Sequence, residues 1–137
     1  MTVVGFNFKK LNVERNKPSK GKISVSNNVS IQGVEESSFS IGQDEQESLK
    51  VIFKFNSTYE PEVGTIELVG DLIYIDSKSR IKEIFEMWKD QKKVHKDVMT
   101  ETLNVILDRC NIQALILARD INLPSPIPLP KVKVETK

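Results

Sequence analysis

Within the first 75 residues of this chain apolar residues recur in runs at every second position, and after them at helical spacing. A period of two sends alternate side chains to opposite faces of a strand; a period near 3.6 lines one face of a helix. The single change of period, at residues 76–77, divides the chain into a sheet and a helical layer. Strands joined by short connections with no helix between them pair antiparallel. The expected class is α+β: a four-stranded antiparallel sheet, then a short and a long helix packed on one face, then an extended Pro-rich C-terminus. At 137 residues the chain has the size of one domain. That length buries roughly two-thirds of the unfolded surface, enough for a core without staples. The expected division is 1–75 for the sheet, 76–122 for the helices and 123–137 for the tail, all in a single domain.

In the first strand Val4, Phe6 and Phe8 share a face, and Leu11 and Val13 resume with slipped parity. The slip predicts a bulge near residues 9–10. Residues 16–21 read as a turn. Ile23, Val25, Val29 and Ile31 form a second stripe, interrupted by Asn27, which marks either a bulge or the rim of the sheet. Residues 35–47 are polar and read as a connection, with Glu35 and Glu36 in a loop. Leu49, Val51, Phe53 and Phe55, opposed by Lys50, Lys54 and Asn56, make the clearest strand. A turn at residues 60–64, with Pro61 and Gly64, leads to Ile66, Leu68, Leu72 and Tyr74 on one face of the fourth strand. Val69, Ile73 and Ile75 make its other face apolar towards the end.

Asp76 or Ser77 can cap the first helix by accepting from its free N–H groups. Ile81, Ile84, Phe85 and Trp88 follow at helical spacing, with Trp88 read as a staple to the sheet. After a charged joint at 89–93, a longer helix runs from about Val94 to Ile121. Its stripe is Met99, Leu103, Ile106, Cys110, Leu117 and Ile121, widened by Val98, Val105, Ile112 and Ile116. Residues 112–118 are apolar almost all the way round, and a helix of that kind needs cover on every side. Four strands and one short helix do not supply it. Ile112, Leu115 and Ile116 are therefore expected to meet another copy of the chain, most simply across a two-fold axis. The alternative is a helix end wrapped by the chain's own tail.

Pro124, Pro126, Pro128 and Pro130 fall at every second position of that tail, with Leu123, Ile127 and Leu129 among them. Proline fixes φ, lacks an N–H and holds the preceding residue extended. Residues 123–130 can thus neither continue the helix nor enter the sheet as a central strand. A segment already stiff loses little entropy on docking. Docking against the sheet or the long helix is the expectation, and recognition by a proline-reading partner is the alternative.

Reactive chemistry is sparse. Lys and Arg total 20 against 19 Asp and Glu, for a net charge of +1. That balance, with only short basic clusters, argues against a nucleic-acid binder. His95 and Cys110 are the only residues of their kinds. They cannot build a four-ligand zinc site, and on one helix they lie about 22 Å apart, too far for a dyad. Cys110, on the apolar stripe, reads as a small core residue. The six glycines are scattered, so there is no phosphate-cradling loop. Nothing fixes Glu35 and Glu36 in an apolar pocket that would shift a pKa. No catalytic residue, metal or cofactor is expected; what remains is a binding module. The N-terminus lacks a basic start followed by an apolar run, and no apolar stretch nears the roughly 20 residues of a membrane span. A cytoplasmic location with no membrane insertion is expected.

Four antiparallel strands, two helical segments and a proline-punctuated exit resemble the SecB family of export chaperones and its SecB-like relatives. Ile66-Glu67-Leu68, then Gly70 and Ile73-Tyr74-Ile75, is similar to the family's fourth strand. Arg109-Cys110, then Leu117-Ala118-Arg119, Leu123-Pro124 and Ile127-Pro128-Leu129-Pro130, resembles its run from a cysteine-bearing helix to a Leu/Pro exit. The resemblance implies a Greek-key sheet and protomers paired through strands and helices, as a dimer or a dimer of dimers with the helices in the middle layer. It implies an ATP-independent holdase that binds unfolded or exported polypeptides in an apolar groove. The implied groove residues are Phe6, Phe8, Val25, Val29, Phe53, Ile127 and Leu129. Two departures stand out. Residues 102–107 lack the family's Phe-Pro-Tyr break, and this sequence stops at Lys137, without the further helix that walls the export chaperones' groove. A shorter groove, or one partly filled by the tail, is expected. Glu67 matches a glutamate of the motor-facing surface, but one strand glutamate is too ordinary to argue for an export motor. A chaperone dedicated to one partner, such as an antitoxin, and an oligomer that shares only the fold while binding nucleic acid or a small ligand are the alternatives.

Overall fold

The computed structural model describes residues 2–16, 21–42 and 44–128. Four strands, β1 (Thr2–Arg15), β2 (Ser24–Ile41), β3 (Asp44–Glu60) and β4 (Gly64–Ile75), precede two helices, α1 (Lys78–Gln91) and α2 (Lys96–Asp120). The strands form one antiparallel sheet in the order β1-β4-β3-β2. Three hairpin-linked strands are thus closed by β1 lying beside β4, a Greek key. The α+β class and the order of elements are those expected from the change of period.

Register explains where the apolar pattern slips. In β1, Phe8 opposes Gly70 and Lys10 opposes Val69, so the expected bulge is at Lys9. It turns the Lys9 ammonium towards the outer face, 3.1 Å from the buried carboxylate of Asp71. A second bulge, at Val4, corrects the expected face. Val3 opposes Tyr74 and Gly5 opposes Ile73, so Val3 is the residue that shares a face with Phe6 and Phe8, and Val4 is 51% exposed. In β2 the bulge is at Gln32, while Asn27 stays in register on this edge strand, opposite Ser57.

Residues 35–47 are mostly strand, not loop. β2 and β3 remain paired from Ser37 opposite Ser48 out to Ile41 opposite Asp44, whereas β4 ends at Ile75, opposite Ser48. Beyond that point the hairpin is a two-stranded ribbon, with no third strand among the described residues. Its sequence carries only Phe39 and Ile41 among polar residues, so it reads as a connection. Glu35 and Glu36 sit on β2 opposite Lys50 and Leu49.

Both helices lie on one face of the sheet, α1 over β2 and β3, α2 over β1, β3 and β4. Ser77 caps α1 by accepting from the Arg80 N–H, and Ile81 and Ile84 are its buried residues. Phe85 and Trp88 pack at the margin of the core. On α2 the buried row is Val98, Thr102, Ile106, Cys110, Ala114 and Ala118. It replaces part of the expected stripe: Met99, Leu103, Leu117 and Ile121 are half-buried flanks. Every-fourth spacing drifts around a helix of 3.6 residues per turn, so the buried row winds as α2 crosses the sheet. The small side chains of Ala114 and Ala118 let its C-terminal half come close. Its 25 residues span about 37 Å, near the length of β4, and bring its end back beside Gly64.

Candidate functional site

The tail is seated on the helix side of the sheet, where β2 begins and β3 ends. α2 stops in a Schellman arrangement. Asn122 takes φ 61°, its N–H donates to Arg119 O at 3.3 Å, and the Leu123 N–H donates to Ala118 O at 2.8 Å. Asparagine tolerates this left-handed position, and the proline after it prevents further helix. Leu123 is then only 7% exposed. It lies against Gly64, where an added Cβ would stand 3.1 Å from a Leu123 methyl.

Two side chains of the sheet then hold the tail by its carbonyls. Tyr59 Oη donates to Pro124 O at 2.6 Å, and Asn27 Nδ2 donates to Pro126 O at 2.8 Å. Ser57 Oγ donates to Asn27 Oδ1 at 2.6 Å, which fixes the amide with its N–H₂ group towards the tail. These three residues come together because Asn27 and Ser57 are register partners and Tyr59 is two residues further along the same face. Within the tail, the Ile127 N–H donates to Ser125 Oγ at 3.3 Å. Pro126 is buried, Ser125 and Ile127 are half-buried, and Pro124 and Pro128 are exposed.

Open clefts flank the seated tail. One of about 700 Å³ is lined by Val25, Asn27, Pro126, Ile127 and Pro128. Another of about 440 Å³ lies between the tail and the end of α2, lined by Leu115, Ile116, Arg119, Leu123 and Ser125. A third, of about 670 Å³, runs along the β1 edge between Val3–Phe6 and the α2 residues Asn104, Val105, Asp108 and Arg109. There the Arg109 guanidinium stands 5.7 Å from the centre of the Phe6 ring.

The groove residues implied by the resemblance fall into two groups on opposite edges of the sheet. Phe6, Phe8 and Phe53 form a ring cluster on the β1 side: Phe53 stacks on Phe6 at 5.1 Å, and Phe8 meets Phe6 and Phe53 edge-on at 5.1 and 6.3 Å. Phe53 is fully buried, and Phe6 and Phe8 are half-buried. Val25 and Val29 are half-buried on β2, and Val25 shares the tail cleft with Ile127. Leu129 lies outside the described residues. On α2, Ile112 is 53% and Ile116 is 38% exposed, and Leu115 is half-buried. The sequence reading missed Asn27, Ser57 and Tyr59. Their signal was present as polar atoms at inward positions of two otherwise apolar stripes.

Burial pushes the Tyr59 phenol from 10.0 up to about 12, so it remains a donor throughout the neutral range. Burial, then the Asp76 carboxylate, push Tyr74 to about 12 as well, and burial takes the Cys110 thiol from 9.0 to about 12. Each group holds its proton more tightly folded than unfolded. The stability it contributes is complete below its unfolded value and is lost as pH rises through its folded one. Denaturation midpoints are therefore expected to hold steady to about pH 9 and to fall between pH 9 and 12. Denaturant titrations at stepped pH, read beside tyrosinate absorbance, check this; a midpoint unchanged across that window contradicts it.

Glu67 Oε1 lies 3.5 Å from Lys10 Nζ and 3.7 Å from Lys54 Nζ on the outer face. Among the described residues no group of three or more His, Cys, Asp or Glu could hold a metal ion, and no helix is long and apolar enough to cross a membrane.

No protein-family model matches this sequence, and no curated protein does. Among solved structures, the chain is similar to the SecB-like chaperone Rv1957 of Mycobacterium tuberculosis, solved in complex with a ChAD peptide from the HigA1 antitoxin. The likeness covers 98% of this chain and 92% of that one, with a TM-score of 0.51 and 11% sequence identity. The four-stranded antiparallel sheet followed by two helices thus agrees with a known architecture: the fold of this chain is SecB-like.

Proposed function

We propose that this protein is a chaperone that holds extended, unfolded polypeptide segments on the helix side of its sheet, without nucleotide. One observation carries the reading: the fold already holds a largely apolar peptide there, its own tail, bent at Pro126–Ile127 and held through carbonyl hydrogen bonds and shallow apolar contacts. Many weak apolar subsites with donors aimed at the backbone suit clients of no fixed sequence. The solved neighbour is itself a chaperone with a peptide bound, which supports a polypeptide client here. The client surface comprises Phe6 and Phe8, with Phe53 as the ring beneath them, on one edge, and Val25 and Val29 on the other, where Ile127 of the tail now packs. Copies assemble through the α2 face bearing Ile112, Leu115 and Ile116, and the protein works in the cytoplasm. Catalysis has no part in this function.

A second reading, a chaperone dedicated to one partner, is favoured by the neighbour's ligand, a peptide from an antitoxin. Aggregation of an unrelated, thermally unfolded enzyme, followed by light scattering, separates the two. The general holdase is expected to suppress scattering at near-stoichiometric amounts. No suppression, together with a tight complex with a single co-purifying protein, selects the dedicated chaperone. Neither result overturns the chaperone reading.

A further inference from the structure

We propose that Asn27, Ser57 and Tyr59 form a carbonyl-reading subsite for client chains, and that the protein's own tail occupies it as a tethered competitor. The inference rests on the chaperone reading above and names the chemistry and regulation of that surface. Among the described residues, both long-range hydrogen bonds between sheet and tail run the same way, from a sheet side chain to a tail carbonyl. Pro124 and Pro126 have no N–H to offer, and the Ile127 N–H is met by Ser125 inside the tail. The subsite thus reads only what every peptide presents, a backbone carbonyl. Its ligand class is an extended, uncharged, apolar polypeptide segment, with proline tolerated.

The tail fits this role and fills the surface incompletely. Leu123 and Pro126 are its buried anchors, while Pro124 and Pro128 stand in solvent. An open cleft remains beside the tail, against Val25 and Asn27. A client with larger side chains gains contacts there that the tail does not make. A tethered segment competes at a high effective concentration, so an unmodified chain shows clients only the fraction of molecules whose tail is out. If that fraction is near one in ten, releasing the tail tightens client binding about tenfold.

The test uses the full chain carrying Pro126→Gly and Ile127→Ser, with a fluorescent reduced and carboxymethylated polypeptide as the client, read by anisotropy. The double variant is expected to bind about tenfold more tightly than the unmodified chain, by the same population arithmetic. Adding Asn27→Ala or Tyr59→Phe is expected to remove most of that gain while the melting temperature of the sheet is kept. If the unmodified chain holds the client and the double variant holds it no better, tail competition is overturned and the chaperone reading stands. If the gain survives Asn27→Ala and Tyr59→Phe, carbonyl reading is overturned. If neither chain binds any client, both proposals fall. The Asn27 side-chain amide resonances of the unmodified chain give a second readout that needs no variant. They are expected to move as client is added, and resonances that stay fixed at saturation overturn the subsite.

Discussion

Gly70→Ala is expected to destabilise the fold by at least about 3 kcal/mol, the upper range for forcing a methyl into a packed site, and to lower the melting temperature by about 10 °C. Gly70 lies in β4 between Phe8 of β1 and Phe53 of β3, on the face that meets the helices. A Cβ there would stand 2.2 Å from the Asn7 carbonyl oxygen and 2.9 Å from Phe53 Cζ. The first of these is backbone, held in the sheet ladder next to the Lys9 bulge, and cannot turn aside as a flexible side chain would. The second belongs to the ring stacked on Phe6. Glycine in the inner strand is what lets aromatic rings from the two flanking strands meet above it. Gly5→Ala is the control, because its Cβ would meet only Ile73, at 3.4 Å and 3.6 Å. Its cost is expected to stay within about 0.5 kcal/mol. Urea titrations and thermal melts of both variants check the contrast; equal midpoints would mean that the ring cluster yields easily. The effect reaches the proposed client surface too, since Phe6 and Phe8 keep their positions only while Phe53 stays beneath them.

Much of the sheet was legible because burial on one face leaves a direct mark in sequence. Leu49, Val51, Phe53 and Phe55 alternate because every second residue of β3 is covered by helices. The Lys9 bulge could be read from parity alone, since Phe8 and Leu11 are both inward and three residues apart. The Val4 bulge could not, because Val3 and Val4 are the same residue and either can be assigned to the core. The hairpin beyond Ser37 was hard to see for the opposite reason: only Phe39 and Ile41 alternate there, too short a run to stand out beside the polar residues 42–47. On α2 the winding row that ends in Ala114 and Ala118 was hidden behind larger neighbours. Leu117 and Ile121 look like better core residues until the close approach of helix and sheet is known. The tail's docking followed from proline stereochemistry, but its partners did not. Asn27 stood out as a break in a stripe, and only pairing with Ser57 and proximity to Tyr59 give that break a use. Hydrogen bonds between residues as much as 99 positions apart leave no periodic trace.

Replacing Ile112 and Ile116 together by Asp is expected to turn an assembled protein into folded single chains at micromolar concentration. The two residues lie one turn apart on the side of α2 turned away from the sheet, 53% and 38% exposed, with half-buried Leu115 beside them. Exposed apolar residues scattered singly are ordinary on a protein surface, but a contiguous strip marks an interaction site. Covering what remains of both isoleucines on each of two copies is worth about 4 kcal/mol in all at ordinary transfer values, roughly a thousandfold in dissociation constant. Aspartate removes that gain and would place unpaired carboxylates in the contact, at a further cost. The single chain should scarcely notice, because neither side chain is part of the core; its denaturation midpoint is expected to shift by less than about 0.5 kcal/mol. A second uncovered region flanks the first: Val4 and Leu11 are 51% and 47% exposed on β1, a sheet-edge strand with no partner strand on its outer side among the described residues. An open edge of this kind is a template for pairing with another chain, so β1 and α2 together offer two adjoining surfaces to a second copy. Light scattering on a dilution series decides the matter. An unmodified chain that is already monomeric at micromolar concentration leaves the α2 strip without a second copy to cover it and removes assembly from the proposed function. A multimer that survives both substitutions moves the contact to the β1 edge, where Val4→Lys and Leu11→Lys are the next changes to make.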